Sequence, residues 1–274
     1  MADALGSLRR HWPEYLMEAA GLGLFMVAAA GFGTLLEHPA SPARQAIESG
    51  LLRRALMGAA MGLTAVGLIY SPWGRRSGAH LNPAVTLTFL RLGKLTGPDA
   101  AGYVVAQFAG GLAGLLAMDA LLAPALAAPE VGFVATVPGW RGADVAFVAE
   151  LSISFGLMLA VLWSTNSPRW AGSTGWLAGA LVAVYITLEA PFSGMSMNPA
   201  RTFASAVPAA SWSSYWVYVV APLAGMLLAA EVYLRSHRTA VVHCAKFHHD
   251  QVHRCIFRCG YHVEPGAAAA DAAA

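Results

Sequence analysis

The tripeptide Asn-Pro-Ala occurs twice, at Asn82-Pro83-Ala84 and Asn198-Pro199-Ala200, at matching places in an internal repeat. No other feature limits the fold so tightly. Asn caps a helix N-terminus through its side-chain oxygen. Pro suits the first helical position, where its missing N–H has no partner to lose, and Ala continues the helix at low entropic cost. Each copy therefore reads as a helix start. The copies lie 116 residues apart, and a second pair of segments repeats at nearly the same offset. Tyr103-Val104-Val105-Ala106-Gln107-Phe108-Ala109-Gly110 aligns with Tyr218-Val219-Val220-Ala221-Pro222-Leu223-Ala224-Gly225, with six of eight positions identical. Glu18 and Glu150 form a third pair, each near the start of an apolar span.

The surroundings of these motifs are apolar. Of 274 residues, 57% are hydrophobic and only 12% charged, and the mean hydropathy is +0.54. Soluble domains carry about 25% charged residues, so the composition is that of a polytopic membrane protein. A net charge of +2 and the lack of any RNP-like or zinc-finger spacing argue against nucleic acid as a partner. Six spans approach the ~20 residues needed to cross a bilayer: Tyr15–Leu36, Leu51–Ser71, Ala100–Leu122, Val145–Trp163, Thr174–Ala190 and Tyr215–Leu234. The length of the first, and Glu18 within it, argue against a cleaved signal peptide.

Six spans put both termini on one side. With the termini inside, that side carries Arg9, Arg10, Arg75, Arg76, Arg91, Lys94, Arg169, Arg235, Arg238, Lys246, Arg254 and Arg258, and the other Arg44, Arg53, Arg54, Arg141 and Arg201. Twelve against five predicts cytoplasmic termini and a multi-pass protein of the plasma (inner) membrane. The repeat has three spans, an odd number, so its halves must insert in opposite directions. Inverted repeats of this kind place their site near the bilayer midplane, on discontinuous helices. His80 to Phe89 and Met197 to Val207 are too short to span but long enough to reach halfway. Glycines at 58, 62, 110, 111, 114, 156, 179 and 225 allow close helix approach. The expected organisation is a cytoplasmic N-terminus (1–12), a channel domain (13–235, repeats about 13–122 and 143–235) and a cytoplasmic tail (236–274).

Ser77-Gly78-Ala79-His80-Leu81-Asn82-Pro83-Ala84-Val85-Thr86 and Gly194-Met195-Ser196-Met197-Asn198-Pro199-Ala200-Arg201 closely resemble the two signature loops of the aquaporin, or major intrinsic protein, family, in its bacterial type. The resemblance covers about residues 12–235. It implies an all-α integral membrane protein with the hourglass fold: six tilted helices, two half-helices and one pore per subunit. It also implies a homotetramer.

In such a pore the oxygens of Asn82 and Asn198 cap their own half-helices and their amide N–H groups face the lumen as donors. A central water accepting from both cannot continue a proton wire. Both half-helix N-termini carry about half a positive charge, which repels cations in a low-dielectric site. Half-helix ends and an Arg are the barrier that aquaporin-type pores set against protons and cations. The extended residues before each motif cannot be helical, and their carbonyls must line water or pair with protein. Gly78, Ala79 and His80 on one side, and Gly194, Met195 and Ser196 on the other, are the candidates. Glu18 and Glu150 are ionisable groups inside spans; the resemblance implies that they accept hydrogen bonds from the backbone of these loops, with a proton relay as the alternative.

Arg201 keeps its charge and offers five donors. The resemblance makes it the outer constriction, together with Met61 (Gly62 without an insertion), Ile186 and Met195. The usual His of span five and an aromatic in span two are absent here, which implies a less polar filter. Thr202 in place of the Asp of glycerol-conducting relatives, Ala206, and Tyr218 before Pro222 lean towards water, although Val219 replaces the usual Trp. The expected function is a passive channel for water and small uncharged solutes, with no cofactor, surrounded by lipid. The alternatives are a glycerol or gas facilitator, a secondary transporter, or a channel regulated by the metal or redox state of its tail. Nothing resembles an enzyme's nucleophile–base pair or cofactor loop.

The tail beyond Arg235 concentrates His243, Cys244, His248, His249, His253, Cys255, Cys259 and His262, and all three cysteines of the chain. On a reducing side, disulfides are not expected. Two readings stay open: a metal site, with Cys244, His248, Cys255 and Cys259 as ligands, or a solvated basic segment against anionic headgroups. The Ala-rich end, Gly266 to Ala274, is expected to be frayed.

Overall fold

The computed structural model describes residues 2–236 and 241–261, with side chains from Gly6 onward; Arg238, His262 and the Ala-rich end lie outside the described residues. Eight of the described helices build the frame. Six are long: α1 (Ala2–Glu37), α2 (Gly50–Tyr70), α4 (Gly97–Leu122), α5 (Gly142–Thr165), α6 (Thr174–Leu188) and α8 (Tyr215–Ser236). Two are short: α3 (Pro83–Arg91) and α7 (Pro199–Ala209). No strand occurs among the described residues. Among the described residues, six helices are long and apolar enough to cross a membrane.

The helix starts follow local chemistry. Ser49 and Thr96 cap α2 and α4 by accepting from Leu52 N and Asp99 N. Asn82 and Asn198 cap α3 and α7, with Pro at the first helical position of each. Helix α1 begins well before the apolar stretch predicted from Tyr15. Its polar first turns persist because they find protein partners: His11 Nδ1 lies 2.7 Å from Asp99 Oδ1, and Arg76 Nε donates to Glu14 at 2.9 Å.

The repeat is visible in the packing. Within each half the first and third spans pair, α1 on α4 and α5 on α8, while the second spans, α2 and α6, meet each other across the halves. Each half-helix leans on the third span of the other half, α7 on α4 and α3 on α8. The pairings need glycine. A Cβ on Gly110 would sit 2.1 Å from Ala19 O, and one on Gly225 2.4 Å from Leu151 O. These carbonyls belong to the residues directly after Glu18 and Glu150, so the same close crossing sets both glutamates in place. The half-helices leave the centre towards opposite ends of α8. Arg91 at the end of α3 pairs with Glu231 at 2.6 Å, whereas α7 ends just before Tyr215.

Candidate functional site

The two Asn-Pro-Ala copies meet tip to tip. Asn82 Oδ1 accepts from Ala84 N at 2.8 Å, and Asn198 Oδ1 accepts from Ala200 N at 3.1 Å and Arg201 N at 3.2 Å. Each amide nitrogen then crosses to the other loop: Asn82 Nδ2 donates to Met197 O and Asn198 Nδ2 to Leu81 O, both at 2.7 Å. One amide hydrogen of each Asn is thus used to lock the halves together, and the second is left for a guest in the lumen. Sequence reasoning assigned the amide hydrogens to the lumen alone and did not foresee the lock.

The loops before the motifs are bent in the same way twice. Gly78, Ala79 and Leu81 have φ of 95°, 55° and 49°; Gly194, Met195 and Met197 have 81°, 53° and 54°. Four of these are not glycine, and a left-handed L-residue costs roughly 1–2 kcal/mol. Buried carboxylates hold the bend. Glu18 Oε1 accepts from Ser77 Oγ (2.8 Å) and His80 N (3.1 Å), and its Oε2 from Leu81 N (2.6 Å) and Gln107 Nε2 (2.8 Å). Glu150 Oε1 accepts from Ser193 Oγ and Ser196 N, and its Oε2 from Met197 N, all at 2.7 Å. Both glutamates are fully buried. Tyr103 and Tyr218 donate their hydroxyls to Ser77 O and Ser193 O at 2.6 and 2.5 Å. The hold of these serines and tyrosines on the loops was not expected, although the signal was present. Each Ser stands five residues before its Asn, and each Tyr opens the repeated octapeptide.

A cavity of about 320 Å³ runs along this junction. Asn82, Asn198, Arg201, Met61, Ile186, Met195, Ala79, His80, Gly194 and Ser196 all line it. Apolar walls come from Leu22, Phe25, Val85, Leu157 and Val182. Met57, Met61, Ala65 and Ile69 form one face of α2 along its length. Gly62 faces away, where its Cβ would be 2.4 Å from Gly179 O, so Met61 is the residue of that pair at the lumen. Arg201 Nη1 is buried without a hydrogen-bond partner among the described residues.

Two sequence expectations are corrected. Gly78 does not line the cavity, because its carbonyl accepts from Phe247 N at 3.1 Å. His248 does not join the cysteines. Its ring packs against Tyr70 with centroids 5.0 Å apart, and the imidazole that converges with Cys244, Cys255 and Cys259 is that of His249. The chain bends at Phe247 and His248, which sends the two neighbouring imidazoles to different partners.

A family model described as "Major intrinsic protein" matches residues 7–233. The lens fiber major intrinsic protein of Gallus gallus is 34% identical over 81% of this chain and 80% of its own length. Aquaporin NIP1-3 of Oryza sativa subsp. japonica is 40% identical over 63% of this chain, a match spanning 58% of the rice protein. Among solved structures, the aquaglyceroporin from Plasmodium falciparum has a TM-score of 0.67 at 18% identity, over 81% of this chain and 95% of that one; at that identity the likeness speaks for the fold alone.

Proposed function

The chain belongs to the major intrinsic protein family, and from that premise we propose that it is a passive transmembrane channel for water and small uncharged solutes. One observation carries the reading. Two half-helices point their N-termini at a common centre, and each Asn is fixed by its own helix and by the opposite loop, with one N–H left over. A water there accepts from both amides, and its own hydrogens point away along the pore. The helix ends add positive potential at the same place. Water passes, and a cation or proton chain is opposed.

The buried carboxylates argue against a coupled transporter. Every oxygen of Glu18 and Glu150 already accepts from the loops, so neither carboxylate is left free to hold a driving ion. Thr202 supports water ahead of glycerol: its hydroxyl lies 2.5 Å from Ser196 Oγ and 2.7 Å from Thr136 Oγ1, within the wall. Ile186, Met61 and Met195 make the surroundings of Arg201 apolar and leave its guanidinium as the main polar group of the constriction. The channel is multi-pass in the plasma (inner) membrane with cytoplasmic termini, as the charge count supports. Its outward side chains, such as Val105, Val148 and Leu188 (68%, 63% and 62% exposed), suit lipid tails and the neighbours of a homotetramer.

The test is light scattering from vesicles holding the full chain, prepared with a strong metal chelator that strips any thiolate-bound ion. An impermeant sugar shock is expected to shrink them several-fold faster than protein-free vesicles, and a glycerol shock to show little re-swelling. Equal shrinkage rates would refute the channel. Arg201→Val removes the fixed charge and widens the constriction, so glycerol entry and proton flux are both expected to rise. Unchanged solute selectivity would remove Arg201 from the filter.

A further inference from the structure

The family match ends at residue 233, and the described part of the tail, residues 241–261, has neither helix nor strand. Part of it is nonetheless buried: Cys244, Ala245, Lys246, Phe247 and Phe257 are all under a tenth exposed. Ordering an irregular segment costs conformational entropy at every residue, and small irregular structures commonly need a metal or disulfide staple.

The staple is legible in the cysteines. The sulfurs of Cys244, Cys255 and Cys259 and a ring nitrogen of His249 all lie within 4.8 Å of one another. Cys244 Sγ and Cys255 Sγ are 3.6 Å apart, far beyond the ~2.05 Å of a disulfide. That separation is close to the ~3.8 Å edge of a tetrahedron with Zn–S bonds of ~2.3 Å. His249 Nε2 lies 3.1 Å from Cys259 Sγ. The backbone N–H groups of Lys246 and Phe257 lie close enough to Cys244 and Cys255 to favour their thiolates, the kind of outer support that ligating thiolates use. Three thiolates around Zn²⁺ leave one negative charge, and the Lys246 ammonium is buried beside them, donating to Arg254 O at 2.8 Å. Three Cys and one His form a closed, four-ligand structural zinc set with no open position.

What this unit sits on is the mouth of the cavity. His80 bonds Thr86 Oγ1 through Nδ1 at 3.1 Å, as Ser196 bonds Thr202 in the other half, but its longer ring also reaches Ala245 O through Nε2 at 2.8 Å. Phe257 stacks on the same imidazole, with centroids 5.4 Å apart and planes at 22°. Phe247 N takes the Gly78 carbonyl, and Phe247 itself lines the cavity. Around the rim, His243 N donates to Asn166 Oδ1 (2.7 Å), Arg258 N to Lys94 O (3.0 Å) and Arg254 Nη1 to Arg10 O (3.2 Å). The tail is thus fastened to α1, to both bent ends of α3 and to the end of α5.

We propose that residues 241–261 bind one Zn²⁺ through Cys244, His249, Cys255 and Cys259, and that the metal-folded unit plugs the pore at the end where the termini lie. This rests on the channel reading above. Loading the site releases the three thiol protons to solvent. Removing the ion leaves the segment without its staple, and the mouth opens.

Two readouts on the full-length protein test it. In the first, the reduced, metal-free chain is titrated with Co²⁺ and Zn²⁺. One equivalent of Co²⁺ per chain is expected to give the visible bands of a tetrahedral thiolate site, bleached by Zn²⁺, and Cys255→Ser and Cys259→Ser are expected to lose them. His248→Ala is expected to keep them. In the second, water permeability is compared in vesicles. The wild type is expected to be slow with Zn²⁺ and several-fold faster with a membrane-permeant chelator; Cys255→Ser is expected to be fast in both. F247A/F257A leaves the ligands intact and is expected to bind Co²⁺ yet conduct with Zn²⁺ present. A wild type without a stoichiometric Co²⁺ spectrum would overturn the site. A wild type that conducts equally with and without Zn²⁺ would overturn the plug. If the chelated wild type and Cys255→Ser both match protein-free vesicles, the channel reading itself fails and the plug with it, while the Co²⁺ spectrum still decides the site.

Discussion

Replacing Glu150 with Leu is expected to cost the protein its folded state in the membrane. The carboxylate accepts from Ser193 Oγ, Ser196 N and Met197 N, all at 2.7 Å and all buried. Leucine offers these three donors no acceptor in its place. An unsatisfied buried donor costs roughly 1–3 kcal/mol, so three of them amount to about 3–9 kcal/mol, comparable with the whole stability of a typical domain at about 5–15 kcal/mol. The left-handed Met195 and Met197 would also lose what holds them bent. The expected result is little or no monodisperse protein, or a melting temperature in detergent lowered by many degrees. Glu150→Gln keeps one acceptor oxygen and is expected to fall between the two. An unchanged melting temperature for Glu150→Leu would show that the loop holds itself.

Asn198→Asp is expected to open the channel to cations. The substitution acts twice. It replaces the Nδ2 donor that holds Leu81 O at 2.7 Å with a carboxylate oxygen that repels that carbonyl. It also puts a negative charge where two helix N-termini supply a positive potential. A unit charge at 4 Å is worth about 4 kcal/mol at an effective dielectric constant of 20. Even a third of that, ~1.4 kcal/mol, is tenfold in a rate or equilibrium. Potassium-selective dye or current measurements on chelator-treated vesicles are therefore expected to show at least ~10-fold more cation leak, with water flux reduced far less. Asn82→Asp, which breaks the Met197 O bond, is expected to behave alike because the two sites are related by the repeat. If neither variant leaks, the central barrier lies elsewhere.

Much of this arrangement was legible in the chain because it is written as local chemistry repeated twice. Asn-Pro-Ala announces a capped helix whether or not anything else is known. Apolar length marks the six spans, with ends differing from prediction mainly where polar turns of α1 found protein partners. The family resemblance implied loop support for Glu18 and Glu150, and both carboxylates accept from backbone N–H groups of the left-handed loops. Extending the same alignment would have found Ser77 with Ser193 and Thr86 with Thr202.

Other features depended on distance in the chain. No spacing rule links Asn82 to Met197 or Asn198 to Leu81, and the choice of Met61 over Gly62 at the lumen needed the crossing of α2 with Gly179. In the tail, composition marked Cys and His as metal-like, but the expectation fell on His248 where His249 converges with the cysteines. The choice between them depends on the bend at Phe247 and His248, and on the Tyr70 ring that packs against His248.

From its residues alone, then, this chain specifies a membrane bundle of two inverted halves, each with a capped half-helix, because hydrophobic length and capping are properties of short segments. The tertiary structure decided which carbonyl each Asn holds, which imidazole joins the thiols and where residues 241–261 come to rest. Those contacts join groups ten to 165 positions apart, and only the folded backbone can set the distance between them.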